Sequence, residues 1–400
     1  MNIKKLLFLN IFIFYFFSVF LFGKNLLTLE EAYQLALKHN LSIKKAALEL
    51  EKSKIDHSKI NFFPNLYLGA SYDKNFLNSK SKNNLNLIAK VPINILEKTF
   101  QYKNSKLVMN ISEKRNLDTI KKSFHNIAKL FYAAWLDQEK MKILEEKVIL
   151  NKVKLELDQT LLNEGKISKE TFLINKIEYD SEYSEYISQK NNKKAIVILQ
   201  NAIGMDLVDV SFEEPNVEEV LNIRQVEKEN INEQIDELEV LLKKNQKTLT
   251  KLAVLPSLDI NIGCNVSEKN ISFKNRFSFG ISLGFNIFSL LSLSNNTRKA
   301  SLECDYALFK KNYNRKLREK ENNRILENYE KEYEVYIFLK KNLEKSKTIL
   351  EGLRYRYQLK KISLLDLKIS ESNLLKIKLL TMKKIYDLKI LEEELKEQSL

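Results

Sequence analysis

The sequence predicts a mainly α-helical chain made of two copies of one pattern, each with a pair of β-strands beside a very long helical hairpin. Three observations predict it. Turn formers are scarce, with 8 glycines and 4 prolines in 400 residues, so the chain reverses rarely and its elements must be long. Short segments recur in the same order at a nearly fixed spacing. The hydrophobic period also drops from the helical value to two in four short stretches.

Composition narrows the function classes. Charged residues make up 30% and hydrophobic ones 44%, a mixture that suits long amphipathic helices. The net charge of +14 raises the question of nucleic acid. Most of the basic residues alternate with acids, as in Glu139-Lys140-Met141-Lys142 and Arg318-Glu319-Lys320-Glu321, which marks solvated helix faces. No finger spacing, RNP-like aromatic motif or phosphate loop accompanies the charge, so nucleic acid is excluded as a partner. Cys264 and Cys304 have neither a disulfide framework nor metal-ligand spacing, and His39, His57 and His125 are scattered. With no nucleophile–base arrangement, the chain is not expected to be an enzyme or to hold a cofactor.

Residues 1–23 read as a secretory signal peptide, with Lys4 and Lys5, an apolar run from Leu6 to Phe22, then Gly23; the rival reading is a retained membrane anchor, since the run approaches the length of a span. No later stretch is long and apolar enough for a transmembrane helix, so a membrane-inserted chain would have to cross as strands.

The repeat organises the rest. Phe62-Phe63-Pro64-Asn65-Leu66 is echoed by Val254-Leu255-Pro256-Ser257-Leu258, and Val91-Pro92-Ile93-Asn94-Ile95 by Leu283-Gly284-Phe285-Asn286-Ile287. Gly165-Lys166-Ile167-Ser168 matches Lys360-Lys361-Ile362-Ser363. Repeat 1 covers 24–206, with a helix at 28–60, strands at 64–73 and 84–96, a long helix at 98–163 and a return helix at 167–203. Repeat 2 covers 207–400, with a weaker helix at 216–252, strands at 256–266 and 273–288, a long helix at 290–359 and a return helix at 363–397.

The strands alternate cleanly. Phe277, Phe279, Ile281 and Leu283 alternate with Ser278, Gly280, Ser282 and Gly284; Leu258, Ile260, Ile262 and Cys264 alternate with Asp259, Asn261 and Gly263. Apolar-out, polar-in segments of roughly 10 residues are what a membrane β-barrel requires, though a half-buried soluble sheet alternates too. Four strands cannot close a barrel, and an open edge in lipid leaves backbone groups unpaired. If the strands span a membrane, several subunits must pool them.

A helix of some 66 residues at ~1.5 Å each is roughly 100 Å long, too long for a globular core, and must pack lengthwise against other helices. Leu339, Leu343, Ser346, Leu350, Leu353 and Tyr357 form a coiled-coil seam, while the first copy places Asn151 and Asp158 on the same register. At the hairpin turns Asn163-Glu164-Gly165-Lys166 puts Gly where a left-handed helix stop is wanted. The equivalent residue in the second copy, Lys360, must adopt that geometry at a cost or turn differently.

Together these features resemble the TolC family of outer-membrane efflux proteins, from Leu27-Thr28-Leu29-Glu30-Glu31-Ala32-Tyr33 through Phe63-Pro64-Asn65-Leu66 to Tyr357-Gln358-Leu359-Lys360-Lys361-Ile362-Ser363-Leu364-Leu365-Asp366. The resemblance implies a homotrimer with a β-barrel in the outer membrane, four strands from each subunit, continuous with a coiled-coil α-helical barrel in the periplasm. It implies a passive exit duct for efflux or type I secretion, engaged by a periplasmic adaptor and an inner-membrane pump. The docking turns would be Asn163, Glu164, Gly165, Lys166, Ile167 and Ser168, with Lys360, Lys361, Ile362 and Ser363. The family's acidic gate ring maps onto Asp366 and, three residues on, Ile369; its tyrosine clamp maps onto Tyr357, with Thr171 at the acidic partner position and Ile362 at a basic latch position. Asp366 is also where a helix start favours an acid. The rival reading is a periplasmic coiled-coil adaptor or scaffold without a pore.

Overall fold

A computed structural model describes residues 25–60, 66–75, 82–93, 95–192, 194–207, 210–217, 231–252, 255–267, 277–284 and 287–398. The signal peptide expected at 1–23 lies outside the described residues.

The elements, in order, are β1 (Asn25–Leu27), α1 (Leu29–His39), α2 (Leu41–Ser58), β2 (Tyr67–Asn75), β3 (Lys82–Ile93), α3 (Ile95–Asn163), α4 (Lys169–Asn191), α5 (Lys194–Ile203), β4 (Val210–Phe212), α6 (Ile231–Leu252), β5 (Ser257–Ser267), β6 (Phe277–Gly284), α7 (Ile287–Gln358) and α8 (Leu364–Gln398). The long helices α3 and α7 run for 69 and 72 residues. Among the described residues no helix is long and apolar enough to cross a membrane.

Several boundaries differ from the sequence expectation, each for a local reason. The helix expected over 28–60 breaks at Asn40. Its side-chain oxygen accepts from the backbone N–H of Ser42 and Ile43 while its amide donates to the Ala202 carbonyl at 2.7 Å, so one residue ends α1, starts α2 and ties both to α5. The return helix expected over 167–203 breaks at Asn192, whose oxygen accepts from Lys194 N. The helix expected over 216–252 is α6 alone in the described residues, and 213–217 are not helical. The strand expected to run to 288 ends at Gly284, and Ile287 already belongs to α7. Similarly, the strand expected to run to 96 ends at Ile93, and α3 starts at Ile95 rather than 98. Apolar residues at a strand-to-helix junction satisfy both periods, so alternation overran the true ends.

The chain divides into two compact units that cut across the two sequence halves. One comprises the described residues of Met1–Lys44, Thr119–Glu229 and Arg318–Leu400; the other comprises those of Lys45–Asp118 and Asn230–Leu317.

In the first unit the core gathers around Trp135, the sole tryptophan, which is 1% exposed. Ile127, Phe131, Leu199, Ile203 and Phe212 join it, and the small Ala32 and Ala36 belong to the same cluster on α1. The parallel pair β1–β4 matches Asn25 with Val210 and Leu27 with Phe212. Gln138 on α3 supports β4: its amide N–H donates to the Val210 carbonyl at 3.0 Å and its oxygen accepts from Phe212 N at 3.2 Å. That side-chain amide supplies the ladder bonds a third strand would otherwise make.

The same unit buries charge on α8. Nδ1 of His125 lies 2.7 Å from Oε2 of Glu393, Lys396 donates to Glu392 and Glu393, and Lys389 donates to Glu392 at 2.6 Å. Burial alone would raise the Glu393 pKa, but the hydrogen bond from His125 and the charge of Lys396 outweigh it and hold the carboxyl below its ordinary range. A depressed carboxylate contributes stability that is complete above the unfolded value of about 4.3 and is lost as pH falls through the lowered native value. Melting temperature should therefore drop in that acid window, more steeply for the natural chain than for Glu393→Gln; parallel melting curves for the two would show that Glu393 makes no such contribution.

In the second unit Glu239 on α6 accepts from Arg115 on α3 at 2.7 Å and from Lys310 on α7 at 3.1 Å, which aligns α6 along both long helices. Lys243–Glu303 and Lys311–Glu237 extend the contact to α7. The sheet of this unit is ordered β2-β3-β5-β6 and antiparallel throughout, with β2 and β6 at its edges.

Candidate functional site

Register determines what the sheet presents. Leu87 pairs with Ala70 and Cys264, Ala89 with Leu68 and Ile262, and Val91 with Ile260. Ile260 pairs in turn with Ile281, and Ile262 with Phe279. Paired residues share a face, so the apolar rows of all four strands lie together. Phe277, Phe279, Ile281 and Leu283 are each 63–70% exposed, and Leu68 is 78% exposed. The opposite face carries Tyr67, Gly69, Ser71, Asn86, Ile88, Lys90, Asn261, Gly263, Ser278, Gly280 and Ser282. Asn261 donates to Ser282 Oγ at 2.9 Å there, and Lys90 pairs with Asp259.

Pro92 sits inside β3 but beyond the end of β2, whose pairing stops at Tyr67 with Lys90. Its missing N–H therefore falls where β2 offers no partner.

The hairpin turns of the other unit are two versions of one device. After α3, Lys166 N donates to the Leu161 carbonyl at 2.8 Å and Gly165 N to that of Leu162 at 3.0 Å, with Gly165 at φ 70°. After α7, Lys361 N donates to the Arg356 carbonyl at 2.9 Å and Lys360 N to that of Tyr357 at 2.8 Å. Lys360 takes φ 57°, the one non-glycine residue with positive φ among the described residues. Both are Schellman stops. Lys360→Gly should stabilise the second hairpin by about 1 kcal/mol, and Gly165→Ala should weaken the first by a similar amount; equal melting temperatures for Lys360→Gly and the natural chain would refute the strain.

Each return helix is then capped by serine. Ser168 Oγ accepts from Thr171 N at 3.2 Å. Ser363 Oγ accepts from Asp366 N at 3.1 Å, and the Asp366 carboxylate accepts from Ser363 N and from its hydroxyl at 2.6 Å. Thr171 and Asp366 hold the same position in the two copies, and the carboxylate completes a reciprocal box that threonine cannot.

Between the long and return helices the seams differ as their residues do. Leu350 is buried in the second. In the first, Asp158 is 3% exposed and accepts from Asn175 at 2.9 Å, and Asn151 and Lys147 both donate to Glu182.

A scan against family models found no match, and a search of curated proteins by sequence found none. Solved structures do match. The CmeC outer membrane channel of Campylobacter jejuni superposes with a TM-score of 0.75 at 16% identity, over 93% of this chain and 85% of that one. The outer membrane protein VceC of Vibrio cholerae gives 0.74 at 12%, over 93% and 95%. The open state of the MtrE outer membrane channel of Neisseria gonorrhoeae gives 0.71 at 15%, over 93% and 88%. This chain has the fold of the TolC-family outer-membrane channels.

The TolC-type fold gives the predicted residues their places. Tyr357 lies in the last turn of α7 and is 37% exposed; Ile369 lies one turn past Asp366 on α8 and is 46% exposed. Asp366 takes the helix-start role open to it in the sequence, with its carboxylate held in the cap. Sequence reading missed Glu371, which accepts from Arg354 of α7 at 3.1 Å and from Lys368 at 2.9 Å. Burial would raise its pKa, but the two cations hold it low. The Lys368/Glu371 spacing was a legible signal; the link to Arg354 across the turn was not. CmeC and MtrE are described as outer membrane channels and VceC as an outer membrane protein.

Proposed function

We propose that this chain is one subunit of a passive, trimeric exit duct in the outer membrane, delivered by a leader at 1–23 and built from two copies of an ancestral repeat. The observation that carries the reading is the four-stranded sheet, with an apolar face on which Leu68, Leu87, Ile262, Phe277, Phe279, Ile281 and Leu283 are exposed, a mostly polar opposite face and two edge strands. Lipid would cover the apolar face, and neighbouring copies would pair the edges. A second apolar stripe supports assembly: Leu302, Tyr306, Phe309, Tyr313 and Leu317 on α7 step by 4, 3, 4 and 4 and are 54–68% exposed. Such a seam fits lengthwise packing against another copy.

In this reading the helical part lies in the periplasm, and the turns 163–168 and 360–363 receive an adaptor coupled to an inner-membrane pump. Tyr357, Asp366, Ile369 and Thr171 line the constriction at that end, and three Asp366 carboxylates near the axis favour cations over anions.

The test is reconstitution of purified protein in planar bilayers beside native gel analysis. A detergent-resistant trimer that forms pores is expected; a monomer without conductance, released from membranes by carbonate, would overturn the proposal in favour of a periplasmic scaffold. Asp366→Ala should raise conductance or weaken divalent-cation block, and unchanged currents would remove Asp366 from the constriction.

A further inference from the structure

The polar row of the sheet holds one described ion pair. Lys90 Nζ of β3 lies 2.8 Å from Asp259 Oδ2 of β5. The two are diagonal neighbours, since Lys90 pairs with Asn261 and Asp259 with Pro92. Their direct cross-strand partners are neutral, with Tyr67 opposite Lys90, Ser282 opposite Asp259 and Gly280 opposite Asn261, while Asp73 and Lys82 lie farther along the same row.

The pair is asymmetric. The Asp259 side chain is 8% exposed, whereas that of Lys90 is 48% exposed. The carboxylate is buried, and the ammonium beside it is half exposed. A carboxylate this buried is held by its cation, and the charge of that cation is the one that solvent meets. A surface that must pass ions and solutes of either sign does need its cation neutralised in place.

We infer that Asp259 is a selectivity-setting residue that cancels the Lys90 charge on the lumen wall, so that this stretch of the wall does not sort solutes by charge. The inference rests on the duct reading, in which the polar face lines the lumen. Removing Asp259 leaves a half-exposed cation on each subunit and turns the wall anion-preferring. Removing Lys90 leaves the carboxylate without its countercharge, which acts in the opposite direction. In about 0.1 M salt a wall charge reaches roughly 10 Å into the lumen, so a change of about twofold in the anion-to-cation permeability ratio is expected for Asp259→Asn, shrinking in about 1 M salt as the reach falls to about 3 Å.

The experiment is the reversal potential in a potassium chloride gradient across planar bilayers for the natural chain, Asp259→Asn, Lys90→Gln, the double variant and the charge swap of Lys90→Asp with Asp259→Lys. Opposite shifts for the two single variants, with the double variant returning to the natural ratio, support the inference. Conducting single variants that keep the natural reversal potential, or that shift in the same direction, overturn it. If neither single variant inserts, the swap decides: the natural ratio supports charge cancellation by the pair, and a changed ratio refutes it. An absence of conductance in the natural chain would instead defeat the duct reading itself, so the two failures are distinguishable.

Discussion

Phe279→Arg should abolish stable insertion of the protein into outer-membrane-like bilayers, whereas Gly280→Arg, one residue along, should be tolerated. Phe279 is 70% exposed on the apolar face, so in water an arginine there would cost almost nothing. In lipid a guanidinium near the midplane costs about 2–4 kcal/mol per subunit, and a symmetric assembly incurs that cost in every copy. Gly280 lies in the polar row, and a Cβ there meets nothing within 4 Å. The check is the fraction of each variant that folds into liposomes and resists protease. Equal insertion of both variants would mean that the face is wet and would sink the membrane reading without touching the fold.

Trp135→Ala should cost about 3–5 kcal/mol in the helical unit. The indole is 1% exposed and belongs to the cluster that joins α1, α3, α5 and β4. Against a typical total of roughly 5–15 kcal/mol, that loss leaves much of the chain unfolded at 37 °C. Thermal melting followed by helical circular dichroism measures it directly. A fall in melting temperature comparable to that of a surface substitution such as Leu241→Ala would show that the cluster does not hold this unit together.

These two residues illustrate what was legible beforehand. The alternation around Phe279 was visible because a strand with one apolar face writes period two into the chain. Turn chemistry was equally visible: Gly165 marked a left-handed stop, and Lys360 at the matching position does adopt φ 57°. Trp135 was not singled out, because on a helix of 69 residues an apolar position near a seam looks like many others. The β1–β4 pair escaped for a related reason, since three-residue strands are too short to show a period. Gln138 escaped because a surface-type amide gives no sign in sequence that it will complete a sheet.

The sequence by itself determined the element types, the long helices and the two faces of each strand, because propensity and periodicity are local and act wherever the chain goes. Only the tertiary structure decided the register that brings β3 and β5, from different halves, together with their apolar rows on one side. It also decided that Asp366 closes a cap, that Asp158 is buried against Asn175, and that Arg354 reaches Glu371. Those contacts join residues whose neighbourhood is created by folding, and their energies depend on burial and distance that no spacing along the chain encodes.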